Sequence, residues 1–208
     1  YGIEVDSAFN VYVCGRTSTA ANFSGQNTAF GGAFLAKYSP TGTCERVNIF
    51  GNSGDQASAI ATDSAGNCYL TGNFQGTGSF GSISLTSLGS SDYFACKVLA
   101  NGSVAWANSY GGSAGEGGTA LAFDKQGNLI VAGYYFQSVN FGCSTLVNTS
   151  TGIEPFLSKV DASTGNCLWL KKGRGGNGAW ILDLTVDSLN QILFTGWFRK
   201  ELHWDQYS

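Results

Sequence analysis

Four aspartates recur at regular positions along the 208-residue chain and are the first candidates for a chemical site. Each heads a polar turn such as Asp63-Ser-Ala-Gly-Asn67, which is similar to part of a calcium-binding loop. A calcium ion takes about six or more oxygen ligands, usually from several carboxylates. Each loop offers one carboxylate, so the pattern favours turn formation, in which Asp accepts hydrogen bonds from backbone amides. We therefore predict no metal site and no cofactor. The four residues are Asp6, Asp63, Asp124 and Asp187.

One lysine also recurs, at Lys37, Lys97 and Lys159. A ring of lysines could bind an anion, but equal placement favours one local bond repeated in each copy, to the turn aspartate or to neighbouring carbonyls. The glycine-rich stretches 111–118 and 173–178 lack the Gly-Lys-Ser/Thr ending of a phosphate loop, so they indicate close strand crossings instead.

The densest polar segment, residues 199–208, holds the weak candidates for ligand binding: His203, Trp204 and Asp205. An aromatic ring beside acids and amides is a common sugar-binding composition. His203 is the only histidine, which leaves a nucleophilic triad without its usual base. A pair of carboxylates acting on a glycosidic bond stays open among the 14 Asp and Glu residues. We favour a protein that is not an enzyme.

Charge and hydropathy exclude two classes of partner. The net charge is −3 and the basic residues are scattered, whereas nucleic-acid binding needs a basic patch. No segment reaches the roughly 18 apolar residues of a membrane helix. We expect no nucleic-acid binding and no membrane insertion.

Six cysteines without a C-x-x-C pair leave disulfides and buried thiols equally open. Cys44 and Cys167 occupy equivalent positions two copies apart. The Cα atoms of a disulfide lie within about 7 Å of each other. Equivalent positions two structural copies apart are much farther from each other than this, so we predict that these two cysteines do not pair.

The elements that must position these residues form a repeat. The aspartates are separated by 57, 61 and 63 residues, and the glycines at 15, 72, 133 and 196 keep the same steps. An aromatic residue follows each glycine by eight positions, at Phe23, Phe80, Phe141 and Trp204. The copies span roughly residues 1–57, 58–118, 119–180 and 181–208 of a single domain.

The second copy predicts four strands, at residues 58–62, 68–74, 93–99 and 104–110. Its second strand is apolar almost throughout, which is typical of burial on both faces, and its fourth strand alternates. Four-stranded units stacked face to face explain this difference, because their inner strands are covered on both faces and their outer strand is less covered. We predict an all-β fold, a β-propeller of four-stranded antiparallel blades with about 3.5 blades in this chain.

The residues 63–72, Phe80, Asp92-Tyr-Phe-Ala-Cys-Lys97 and Tyr110-Gly-Gly112 resemble the bacterial β-propeller repeat family known as SBBP. The resemblance covers essentially the whole chain, although Gly32 replaces the acid in the first copy. It implies a secreted or cell-surface protein, often large and multidomain, and supplies no catalytic residues.

We therefore expect a non-enzymatic extracellular or cell-surface module for binding, adhesion or assembly, with a protein or glycan partner. The alternatives are a structural subunit of a surface fibre or appendage and a propeller-borne hydrolase or lyase acting on glycans. The chain contains no methionine and opens on Tyr1. We expect further blades from a longer parent chain or from a second chain.

Overall fold

The computed structural model describes residues 2–175 and 178–204, and every regular element in them is a β-strand. The first sheet has four strands, and a short hairpin separates its second strand from its third. These elements are β1 (Ile3–Val5), β2 (Val11–Thr17), the hairpin strands β3 (Asn22–Phe23) and β4 (Gln26–Asn27), β5 (Gly32–Tyr38) and β6 (Cys44–Phe50). The four sheet strands pair antiparallel in chain order.

The same arrangement occurs twice more. The second sheet has β7 (Gln56–Thr62), β8 (Cys68–Phe74), the hairpin β9 (Thr77–Phe80) and β10 (Ile83–Thr86), β11 (Asp92–Val98) and β12 (Val104–Tyr110). The third sheet has β13 (Gly117–Phe123), β14 (Leu129–Tyr135), the hairpin β15 (Ser138–Asn140) and β16 (Thr145–Val147), β17 (Glu154–Val160) and β18 (Cys167–Arg174). All pairings within these two sheets are antiparallel.

The fourth copy is represented by three strands. β19 (Ala179–Val186) and β20 (Ile192–Phe198) pair with each other, and β21 (His203–Trp204) adds to the outer edge of the third sheet beside β18. In the part of the chain that the structure describes, no helix is available to cross a membrane.

Successive sheets pack face to face through their first strands, β1 against β7, β7 against β13 and β13 against β19. The core therefore lies between sheets. β8 and β14 are buried at all positions but one, because each lies inside its sheet and carries apolar residues on both faces.

Pairs of aromatic rings explain two of the sequence landmarks. In the first three copies, the aromatic residue that follows the recurrent glycine packs on the phenylalanine of the third strand. The ring centroids lie 5.0 Å apart for Phe23 and Phe34, 4.9 Å for Phe80 and Phe94, and 4.7 Å for Phe141 and Phe156. The connection between the second and third strands thus packs against the third strand in each of the first three sheets.

The structure confirms the all-β, antiparallel prediction. In the second copy, β8 and β12 have the predicted bounds, β7 begins two residues earlier than predicted, and β11 is shifted by one residue. The hairpin β9–β10 was not predicted from the sequence.

Candidate functional site

The recurring aspartates lie in the turns between first and second strands. Asp63 Oδ1 accepts hydrogen bonds from the amides of Ala65 (3.0 Å) and Asn67 (2.9 Å), and its Oδ2 accepts from Asn67 Nδ2 (2.8 Å) and the Tyr69 hydroxyl (3.1 Å). Burial raises the pKa of Asp63, but these hydrogen bonds outweigh it and hold the pKa below its usual value. The carboxylate therefore stabilises the turn through its hydrogen bonds.

The other copies use their aspartates in the same way. The carboxylates of Asp6, Asp124 and Asp187 each accept two backbone amides from their own turns. Among the described residues, no three His, Cys, Asp or Glu side chains come together in a group that could hold a metal ion.

The recurring lysines each make a contact within their own copy, but the prediction of one bond repeated in every copy is wrong, because the three partners differ. Lys37 pairs with Glu45 at 2.8 Å, and Lys97 lies over the Tyr69 ring at 4.9 Å. Lys159 reaches the turn carboxylate of Asp124 directly, at 2.6 Å. The lysines therefore serve their own sheets rather than one shared anion site.

Buried acids lie at the opposite end of the sheets, where each fourth strand crosses to the next first strand. Asp55 accepts the amides of Asn52 (2.6 Å) and Gln75 (2.9 Å), which ties the crossing to the loop after β8. Glu116 accepts the Gly112 amide at 2.9 Å, and its Oε1 is buried without a hydrogen-bond partner. Sequence reasoning missed this role, although both acids directly precede a first strand.

Glu116 and its neighbour Asp92 are the buried carboxylates whose charges interact. Burial raises the pKa of Glu116 to about 7, and the charge of Asp92 adds to the rise. Burial also raises the pKa of Asp92, against the hydrogen bonds from Leu88 and Gly89. Both side chains are almost fully buried, Glu116 at 0% and Asp92 at 1% exposure, so neither faces a substrate.

A groove of about 970 Å³ runs along the first strands of all four copies. Its charged lining residues are Glu4 on β1 and Asp183 on β19, with two first strands between them. Burial raises the pKa of Glu4. Described residues of the groove lining include no lysine, arginine or histidine, so the groove suits neutral polar or positively charged groups.

One end of this groove carries residues that differ from copy to copy on the repeating scaffold. In the second sheet, Gln56 on β7 is the register partner of Asn73 on β8. The equivalent partners in the third sheet are Gly117 on β13 and Tyr134 on β14. Trp180 packs on Tyr134 with ring centroids 4.3 Å apart. Amide side chains and paired aromatic rings that line one groove can bind a ligand. These positions depart from the repeat, and that departure was the sequence signal from which they could have been predicted.

The terminal candidates lie apart from the groove lining. Trp204 takes the place of the recurrent aromatic residue, packs on Phe194 at 5.5 Å and lies against Gly173. His203 is exposed and lies 3.0 Å from Glu201. Asp205, the third candidate, lies outside the described residues.

The cysteines divide into one disulfide and four buried thiols. Cys143 and Cys167 are bonded, with Cα atoms 5.5 Å apart, so the prediction that Cys167 does not pair with Cys44 is confirmed. Burial raises the pKa of Cys14 to about 11 and that of Cys68 to about 12, which keeps both as unreactive thiols.

Large apolar side chains are exposed at the end of the sheets where the second strand connects to the third. Phe30, Leu88 and Phe136, one from each of the first three connections, are 55%, 76% and 45% exposed. A cavity of about 440 Å³ opens beside Phe136, lined also by Ile153 and Trp197.

Comparison with known proteins gives a distant relative. The chain is 27% identical over 128 residues to an uncharacterised WD repeat-containing protein of Acanthamoeba polyphaga mimivirus. The match covers 57% of this chain and 9% of the relative, so the chain spans less than a tenth of that protein's length. No family model matches the chain.

Proposed function

We propose that the chain forms part of a β-propeller of the SBBP type and acts as a non-enzymatic module that binds another protein. In this proposal the three four-stranded sheets are blades, β19 and β20 begin a fourth, and the groove along the first strands belongs to the central channel. The side-by-side packing of the first strands and the likeness to a WD repeat-containing protein support it.

The length of the repeat fits the same proposal. A WD repeat has about 40–45 residues and four strands, whereas the steps here are 57, 61 and 63 residues. The hairpins β3–β4, β9–β10 and β15–β16 add the extra length between the second and third strands of each sheet.

The exposure of Phe30, Leu88 and Phe136 at one end of the sheets carries the functional proposal. Apolar side chains grouped in one region of a surface mark interaction sites, since monomers expose few large apolar patches. Among exposed large apolar residues of the described chain, Leu168 alone lies on a fourth strand. A fibre subunit that assembles through its outer strands would need more exposed apolar residues on those strands. Binding through the loops is therefore the better supported role.

We place the module outside the cell or on its surface. The disulfide between Cys143 and Cys167 supports this location, because disulfides persist in oxidising compartments. The resemblance to the SBBP repeats points the same way.

The test is capture of partner proteins from an extract of the source by the immobilised chain. Loss of a captured protein with Phe30→Ser, Leu88→Ser and Phe136→Ser combined would support the proposal. Phe9→Ser is the control, because Phe9 is also exposed, at 72%, but lies in the turn at the opposite end. Capture that is insensitive to the triple variant would overturn it.

A glycan in the groove is the second candidate partner. The Trp180 and Tyr134 ring pair, in a groove that Gln56 and Asn73 also line, favours it, because sugars stack on aromatic rings and bond to amides. Binding to a glycan array that is lost with Trp180→Ala but retained with Trp106→Phe would support this candidate. An array without binding would exclude it for the sugars tested.

A further inference from the structure

The hairpin β9–β10 of the second copy has one covered edge and one free edge. The Gly51 amide donates to the Ser79 carbonyl at 2.9 Å, so the crossing after the first sheet lies along the outer side of β9. β10 pairs with β9 alone in a two-stranded sheet, and no backbone hydrogen bond among the described residues reaches its other side. Such an edge is a template for another strand.

The register of the hairpin identifies the free backbone groups. Ser84 is the register partner of Ser79, whose carbonyl points away from β10 toward Gly51. Residues opposite each other in an antiparallel pair exchange either both of their backbone bonds or none, in alternation. The amide and the carbonyl of Ser84 therefore point away from β9, and those of Thr86, two residues further on, do the same. Both residues are exposed.

The equivalent edge of the third copy is protected by a lysine. Val147 pairs with the first residue of β15 as Thr86 pairs with the first residue of β9, and the Val147 carbonyl accepts a hydrogen bond from Lys172 Nζ. Lysine side chains commonly protect strand edges in this way. Ser109 stands at the position of Lys172 in the second copy, since each is the register partner of the third-strand phenylalanine. The second copy therefore lacks this protection.

The free edge also lacks the charges that would prevent it from pairing with itself. Residues 75–91, which include the whole hairpin, contain no charged residue and no proline. Like charges that face each other across two strands are destabilising, so a charged edge is unsuited to pairing with an identical one. An uncharged edge meets no such repulsion, and a second copy of the chain always presents the same edge.

We propose that two copies of this chain associate through β10, whose free edges pair antiparallel about a two-fold axis at Leu85. Ser84 then lies opposite Thr86 of the partner subunit, and each such pair exchanges both of its backbone hydrogen bonds. In this register both outward-facing residues of each strand find a partner. The hydroxyl side chains of each pair add a cross-strand contact of a stabilising kind.

The inference goes beyond the proposed function and uses none of Phe30, Leu88 and Phe136. A chain that stays monomeric can still capture another protein through those three side chains. A dimer can likewise form when the capture experiment fails. The two experiments therefore test the two proposals separately.

The test is sedimentation equilibrium of the purified whole chain, combined with hydrogen–deuterium exchange at low and high protein concentration. We expect a dimer whose formation protects the amides of Ser84 and Thr86. The amide of Leu85, which already bonds to β9, should not change. Ser84→Lys combined with Thr86→Lys should raise the dissociation constant about tenfold or more, because lysines then face each other across the axis.

A second double variant tests the register. Ser84→Lys combined with Thr86→Glu places a lysine opposite a glutamate in both pairs, so it should dimerise at least as well as the unchanged chain. Thr145→Lys is the matched control, because Thr145 on β16 has the position of Ser84 beside the edge that Lys172 protects. It should leave the dissociation constant unchanged, whereas Ser109→Lys, which supplies the missing lysine, should raise it.

Three results would overturn the proposal. The first is a chain that stays monomeric at concentrations up to about 1 mM. The second is a dimer that the two added lysines leave intact, or that both double variants disrupt equally. The third is a dimer whose formation leaves the exchange of the Ser84 and Thr86 amides unchanged.

Discussion

Lys159 Nζ lies 2.6 Å from Asp124 Oδ2, an ion pair that joins the third strand of the third sheet to the turn between its first two strands. In the second sheet the turn aspartate has a different partner, since the Tyr69 hydroxyl donates to Asp63 and Lys97 lies over the Tyr69 ring. Where Ile130 replaces the tyrosine of the second strand, the lysine on the neighbouring third strand thus pairs with the turn aspartate instead of lying over a ring.

Lys159→Met should therefore destabilise the protein more than Lys97→Met does. Removing Lys159 leaves the carboxylate of Asp124, which is 7% exposed, without its charged partner, and we expect a loss of about 2 kcal/mol. Removing Lys97 costs a cation–π contact of about 0.5–1 kcal/mol and leaves the bonds of Asp63 intact. Urea denaturation of the two variants measures the difference, and equal losses would contradict this account.

The repeat made much of the fold predictable from sequence. β8 and β12 could be placed because apolar runs and alternation have a direct structural meaning, and the Asp63 and Asn101-Gly102 turns bound them. The hairpin β9–β10 was missed because its strands have only four residues each and one of them carries Gly78, whose intrinsic strand preference is low.

The site was less predictable than the fold. The recurring residues Asp63 and Lys97 serve turns and sheets, so the pattern that revealed the architecture was silent about the groove. Trp180 and Tyr134 come together through packing of β14 against β19, a contact between copies that no spacing within one copy encodes. Glu116 was likewise missed because its burial depends on the loops around it.

Phe9 adopts a backbone conformation that favours glycine, with φ of 63° in the turn after β1. Gly66 and Gly127 occupy the equivalent positions with φ of 76° and 78°. Phe9→Gly should stabilise the protein by about 1 kcal/mol, because it relieves this conformation and exposes no buried surface. Ala8→Gly is the control and should give no gain; a Phe9→Gly variant with a lower melting temperature would refute the prediction.

The disulfide Cys143–Cys167 closes a loop between β15 and β18 with a sequence separation of 24 residues. Replacing both cysteines by serine should lower the free energy of unfolding by about 3 kcal/mol, mostly through the entropy of the unfolded chain. Alkylation of the unfolded, unreduced protein should label the four cysteines that the structure leaves free, and two more after reduction. Labelling of all six without reduction would show that the bond is absent.

Glu116 should make the protein more stable in mild acid than at neutral pH. Its pKa is raised to about 7 in the folded state by burial and by Asp92, whereas the unfolded chain ionises near 4.5. The folded state therefore keeps a proton that the unfolded state releases, and stability falls as pH rises from about 4.5 to 7, by at most about 3 kcal/mol. Glu116→Gln should remove most of this slope and keep the bond from Gly112, while the exposed Glu201→Gln should not change it. Denaturation midpoints at pH 5, 6 and 7.5 measure the slope, and parallel curves for wild type and Glu116→Gln would show that Glu116 is ionised throughout.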